Sequence, residues 1–304
     1  MNKYKKSFIN NQISVLWNTM IDMFCHPIII EACIHFDKGK VLHRNWGDDI
    51  NIFFLKELFK RNIAVFHYTI YSRFLRKIGR GNNYLIIGST ITMLTNEKSI
   101  IWGAGVIDPT RPLLHKPQKV LAVRGPLTRK YLLENEVNCP SIYGDPALLL
   151  PKVYSPKVEK KYKLGIIPHY DDYDNQLLNS LKEDKTILFI KMEGYTDWLD
   201  IIDQILSCEM VASSSLHGLI VAEAYSVPNL WIIISGNLMG GDFKFHDFFE
   251  SIEKYNQEAY PITKSSSVQD ILKQLDHYQP GHIDLRPLIS CCPFKIRVNI
   301  PIKK

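Results

Sequence analysis

Short apolar runs alternate with segments of helical spacing from residue 28 to residue 234, and several of the runs stop at a glycine, serine or proline. A strand covered on both faces reads as a continuous apolar run, and parallel neighbours need a crossover between them, usually a helix. The alternation therefore specifies an α/β chain with mainly parallel sheet. In the first half, residues 28–36, 63–66, 84–87, 100–102 and 120–123 read as strands. Residues 48–60 carry apolar side chains at 50, 53, 54 and 58, a helical spacing, and 126–135 form a second helix. In the second half, 163–167, 186–190, 210–212 and 229–234 are strands, 174–181, 196–207 and 216–225 helices, and 245–255 and 268–277 helical before a basic tail. Residues 152–163, rich in lysine and proline, read as a linker. The expected architecture is two Rossmann-like domains, 1–150 and 151–304, joined near 151–162 and facing a cleft. Ligands of such sheets sit beyond the carboxyl ends of the strands, where helix N-termini point.

A chain of 304 residues with 46% hydrophobic and 22% charged residues has the balance of a soluble globular protein, which excludes fibrous and disordered classes. No stretch approaches the roughly 18–20 apolar residues of a membrane helix. The basic start, MNKYKKSFINNQ, lacks an apolar block and a small-residue cleavage site, so no secretory signal is read and a cytoplasmic location is expected. The six cysteines are scattered, without a CxxC pair or metal-ligand spacing, so neither a zinc site nor a disulfide framework is expected. The net charge of +6 is modest and dispersed. It suits a solvated surface better than a nucleic-acid groove, and is compatible with an anionic substrate or an acceptor held at a negatively charged membrane face.

The most informative segment is VASSSLHGLIVAE, where a strand ends in Ser213, Ser214 and Ser215 and a helix begins near Leu216. Exposed N–H groups of a helix start, with the serine hydroxyls, form an anion site, and His217 adds a group that can donate to phosphate or relay a proton. Gly218 leaves room for a ligand or a neighbouring element. Alternatively, the serines only cap the helix and His217 is structural. In VLAVRGPLTR a strand delivers Arg124 at its carboxyl end and Gly125-Pro126 opens a helix. Arg124 can bind phosphate or carboxylate through paired hydrogen bonds, or form an interdomain salt bridge. Arg129 reads as a surface or capping residue.

In RNWGDD, Asn45 and Gly47 suggest a turn and Asp48 an N-cap, or a ligand to a sugar hydroxyl. In YGDP, Asp145 faces the cleft or stabilises a turn. Gly88-Ser89-Thr90 after a strand reads as a phosphate or sugar loop, and His169 in IIPHYDD as an acceptor contact or a loop stabiliser. IWGAGV lacks the third glycine of a dinucleotide fingerprint and is poor evidence for NAD. Glu223 can pair with a base, and residues 236–242 form a loop able to close over the cleft.

In order, NWGDD, GST, IWGAGV, VRGPLT, YGDPALLLP, IIPHYDD and SSSLHGLIVAEAYSVP resemble the polysaccharide pyruvyltransferase family, from about Asn45 to Pro228. The resemblance implies a two-domain fold like that of GT-B glycosyltransferases, with phosphoenolpyruvate as donor and no cofactor or metal. The implied acceptor is a sugar of a bacterial capsular, exopolysaccharide or wall glycan, lipid-linked or free, with peripheral contact at the inner membrane. Carried onto this sequence, it places Arg124 and His217 in the donor site, with Leu216 contributing backbone contact. By residue type and position, Arg124 and His217 take catalytic roles, Ser215, Gly218 and Ser89 join the donor side, and Asn45, Asp48, Asp145 and His169 fall on the acceptor side. The family's GGG stretch is represented only by Gly88-Ser89-Thr90. The competing readings are a GT-B glycosyltransferase using a nucleotide sugar, with Glu223 or Asp242 on the ribose, and a non-catalytic glycan-binding protein.

Overall fold

The computed structural model describes residues 26–66 and 81–298, apart from 38, 39, 237, 238 and 277, together with the isolated residues 17, 20 and 74. The basic N-terminal segment, the tail beyond 298 and parts of the 236–242 loop and of the helix expected at 268–277 lie outside the described residues. Two five-stranded sheets are present, each wholly parallel. The first has the order β4-β1-β5-β6-β7, built from β1 (Ile28–Ile30), β4 (Ile63–Val65), β5 (Asn83–Leu85), β6 (Ser99–Trp102) and β7 (Lys119–Ala122). The second has the order β12-β11-β10-β8-β9, built from β8 (Tyr162–Ile167), β9 (Ile187–Phe189), β10 (Cys208–Ser213), β11 (Asn229–Ile233) and β12 (Tyr260–Pro261). The α/β class with parallel sheets is as the apolar runs specified.

The principal helices are α1 (Trp46–Phe59), α2 (Pro126–Glu134), α3 (Trp198–Leu206), α4 (Leu216–Ala224), α5 (Phe243–Ser251), α6 (Val268–Leu275) and α7 (Arg286–Ser290). Among the described residues no helix is long and apolar enough to cross a membrane.

Local chemistry moves several boundaries. The strand expected over 28–36 stops at Ile30, because the Ile34 amide bonds to the Ala32 carbonyl and closes a tight turn. The chain then forms a small antiparallel pair, β2 (Phe36–Asp37) with β3 (Lys40–Val41). Helix α1 is capped by Asn45, not Asp48: the Asn45 side chain accepts from the Gly47 amide at 3.1 Å. Asp48 lies in the first turn, where a negative charge suits the helix dipole. The helix expected at 174–181 is two separate turns, Gln176–Leu178 and Asn179–Lys182. After YGDP the chain coils at once into Pro146–Leu149 and Leu150–Val153, and Asp145 caps the first turn by accepting from the Ala147 amide at 2.9 Å.

One hydrophobic core runs between the two sheets, including Trp46, Phe54, Trp102, Leu149, Leu219, Phe245, Phe248 and Leu288. Smaller clusters back each sheet, around Ile101 and Leu132 in the first and around Ile166 and Ile271 in the second. Polar contacts fasten α1 to the second half. The Trp46 indole donates to the Trp198 carbonyl at 2.7 Å, and the Tyr195 hydroxyl to Asp49 at 2.7 Å. The last described segment returns to the first sheet, where Trp102 donates to the Leu288 carbonyl at 2.9 Å and the Arg297 amide to the Leu58 carbonyl at 2.9 Å.

Candidate functional site

Arg124 follows β7 at its carboxyl end and is wholly buried, at 0% exposure. Its Nε donates to Asp247 on α5 at 2.9 Å, one terminal nitrogen to the Val106 carbonyl at 2.9 Å, and the other to the Ser89 hydroxyl. These bonds engage three of the five guanidinium N–H groups. The guanidinium lies flat on Gly105, where any Cβ would collide with it. The second glycine of IWGAGV thus serves as a floor for Arg124 and not as a dinucleotide turn. Asp247 also accepts from the Thr128 amide and hydroxyl, each at 2.7 Å. Gly125 lets α5 come close, because a Cβ there would meet the Asp247 main-chain carbonyl. The RGPLT segment is therefore a clamp on α5, and Arg124 makes the salt bridge between the halves that was one of the two roles open to it in the sequence, from a position just past a strand's carboxyl end.

Ser89 is held by its own framework. The buried Asn51 amide on α1 donates to the Ile87 carbonyl at 3.0 Å and accepts from the Ile87 amide at 3.1 Å. Gly88 follows with φ +109, a conformation side chains rarely adopt, and the turn presents Ser89 to Arg124.

In the second half, β10 ends at Ser213 and the chain runs through Ser214 and Ser215 into α4. Ser213 and Ser214 are occupied internally. Ser213 accepts from the Ser215 amide at 3.0 Å, and Ser214 accepts from the His169 amide at 2.9 Å. Ser215 occupies the N-cap of α4, but its side chain makes no capping bond, so the helix start keeps uncapped N–H groups. Gly218 packs against Ser213 and Ile167, which makes it the close-packing position of the strand-helix unit.

His217 sits in the first turn with its ring against Gly47, where a Cβ would overlap the imidazole. The NWGDD and SLHG segments thus meet at their helix starts. His217 Nε2 is buried and has no hydrogen-bond partner among the described residues. Burial, reinforced by the positive charges of Arg124 and Lys244, pushes His217 down to about 3, so the ring is neutral near pH 7.

Asp48 lies near Gly88 and accepts from the Asn45 side chain at 2.7 Å. Burial first, and Asp49 second, push its carboxyl up to about 7, against the pull of Asn45 and Lys244. His169 stacks with Tyr170 and lies 3.3 Å from Asp171, and burial and Lys244 lower its pKa. Asp145 is buried and caps the turn Pro146–Leu149, within electrostatic reach of Arg124 and Asp247, and burial raises it to about 6. Glu223 points elsewhere, bonding Lys254, Tyr278, Asn229 and the Gly281 amide. Arg129 donates to the Cys139 carbonyl at 3.0 Å. Gly240 of the 236–242 loop packs on the main chain of Ile107.

Sequence reasoning missed Asp247 and Lys244, the two charged residues of α5 that face this region. The helix was expected to begin at 245, which excluded Lys244, and nothing in FKFHDFF distinguishes a clamp carboxylate from a surface one.

A family model described as polysaccharide pyruvyl transferase matches residues 26–236. The uncharacterized protein L143 of Acanthamoeba polyphaga mimivirus is 30% identical over 238 residues, 76% of this chain and 78% of L143. The succinoglycan biosynthesis protein ExoV of Rhizobium meliloti (strain 1021) is 26% identical over 236 residues, 73% of this chain and 66% of ExoV.

Proposed function

The chain belongs to the polysaccharide pyruvyl transferase family, and on that premise we propose that it moves the pyruvyl group of phosphoenolpyruvate onto a sugar of an exopolysaccharide, capsular or wall glycan as a cyclic ketal. The observation that supports this reading is that Arg124 lies close enough to the neutral His217 to lower its pKa, at the start of α4, whose N-cap side chain makes no capping bond. ExoV, a succinoglycan biosynthesis protein, favours an exopolysaccharide as the acceptor class. The two facing parallel sheets support a GT-B-like arrangement, with lobes at 1–150 and 151–304 and the closing segment 283–298 packed on the first. A cytoplasmic enzyme without metal or cofactor, acting on a free or lipid-linked acceptor at the inner membrane, completes the proposal.

In this scheme the methylene carbon of the donor gains a proton, and positive charge develops at the carbon bearing the phosphate. One sugar hydroxyl adds there and loses its proton. The carbon–oxygen bond to phosphate breaks, and inorganic phosphate leaves with the bonding electrons and a proton. A second hydroxyl closes the ring, and its proton replaces the one given to the methylene carbon. Arg124 and the α4 amides stabilise the anion, and His217 Nε2, without a protein partner, contacts a donor oxygen. Because His217 is neutral, the acid-base work falls to Asp48, which titrates near neutrality and takes the proton of the attacking hydroxyl. Asn45 and His169 line the acceptor side.

The nucleotide-sugar alternative needs a free carboxylate for ribose hydroxyls, and the engagement of Glu223 by Lys254, Tyr278 and Gly281 argues against that residue. Incubation with phosphoenolpyruvate and a panel of free and lipid-linked sugars should release phosphate and add one pyruvate-sized mass less water to an acceptor. Transfer from a nucleotide sugar, with phosphoenolpyruvate inert, would refute the reading.

A further inference from the structure

Lys244 occupies the first turn of α5 and is only 8% exposed. Its ammonium has no hydrogen-bond or ion-pair partner among the described residues, and the Phe245 ring centroid lies 5.4 Å away. Burying a cation without a partner is costly unless a counter-charge arrives. Asp48 and Asp242 act on it only through space, while burial and Arg124 pull its pKa down to about 8.

Its aim is fixed by packing. Phe245 stacks on Trp231 with centroids 4.7 Å apart and Phe248 lies in the common core, so α5 is held in rotation. Lys244 and Asp247 stand three residues apart, on one helix face. Asp247 on that face holds Arg124, so Lys244 lies on the side of α5 that faces Arg124. There its charge is felt by Asp48, His169 and His217.

Charge balance supplies the second argument. The guanidinium of Arg124 is matched by Asp247 in an ion pair with both side chains at 0% exposure, and His217 is neutral. Without Lys244 the crevice would offer oriented N–H groups but little net positive charge to a ligand carrying two or three negative charges. We propose that Lys244 is a donor-binding residue whose ammonium contacts the phosphoryl group, completing a cradle with Arg124 and the start of α4. The assignment rests on the donor reading above, and it falls on a residue beyond the 26–236 span matched by the family model.

The test titrates full-length wild type and Lys244→Met with phosphoenolpyruvate and, separately, with inorganic phosphate. Losing one charge-assisted contact should weaken binding of both anions about 10–100-fold. In turnover, KM for phosphoenolpyruvate should rise by a similar factor with KM for the acceptor unchanged. Because a buried unpaired charge is removed, ligand-free Lys244→Met should melt at or above the wild-type temperature; if it does not fold, Lys244→Gln is read in the same way. Equal anion binding by folded variant and wild type overturns the assignment. Wild type binding phosphate but not phosphoenolpyruvate, with the variant binding neither, overturns the donor reading and leaves Lys244 in place. Wild type binding neither anion overturns both.

Discussion

Arg124 and His217 stand side by side in function but differ in what their removal leaves behind. Truncating Arg124 strands the buried Asp247 carboxylate with only Thr128 to satisfy it. Breaking one side of a buried ion pair typically costs about 3–5 kcal/mol, so Arg124→Ala should lower the melting midpoint markedly, read by calorimetry, and lose activity partly for that reason. His217 Nε2 has no protein partner to abandon. His217→Ala should therefore keep its melting midpoint within a few degrees while turnover falls about 10²–10³-fold. Asp48 gives a pH signature. Its folded pKa, about 7, exceeds its ordinary 3.8, so the native state holds the proton more tightly, and the stability this contributes is lost as pH rises through 7. The melting midpoint of Asp48→Asn relative to wild type should climb between pH 4 and 7.5, and the variant should lose the rise in turnover through pH 7. The places of Arg124, just past a strand, and of His217, in the first turn of the helix after one, were legible in the sequence, while Asp48 was read as the cap that Asn45 holds. The sequence did not show that Arg124 would be fully enclosed, because the carboxylate enclosing it comes from a helix whose pattern signals only amphipathicity.

At the scale of elements, the central strands were readable because β1, β6 and the carboxyl ends of β8 and β10 are buried on both faces and so are written as apolar runs. The short, partly exposed β2, β3 and β12 leave no such run. Failures fell where a polar side chain or a tight turn competes with the regular ladder. Asn45 takes the cap that Asp48 was expected to hold, the 28–36 run folds back after Ile30, and at 174–181 Asn175 caps a tight turn, Gln176–Leu178, that passes directly into one helical turn. The apolar run after Asp145 carries helical turns that a turn signal hid. Gly125 is the element-level hinge of the site, since α2 and α5 touch through it. In Gly125→Ala the new methyl group meets main chain, which cannot rotate away. Alanine there should cost about 1–3 kcal/mol, as overpacked sites do, and weaken phosphoenolpyruvate binding by shifting α5 with its Lys244. Wild-type binding by this variant would show that α5 is free to slide.

The alternation of runs and helices predicted two parallel sheets but not that they would share a core. Trp46, Trp102, Leu219 and Phe248 belong to one cluster, and the 283–298 segment crosses back to lie on the first sheet. Contacts of that separation leave no local trace in a single sequence. The Asp247 clamp has a genetic corollary. One carboxylate is answered from positions 123 and 119 residues earlier. The front and rear portions of this gene are therefore not exchangeable modules. A graft joining the front of one relative to the rear of another succeeds only when positions 124, 125, 128 and 247 arrive as a matched set.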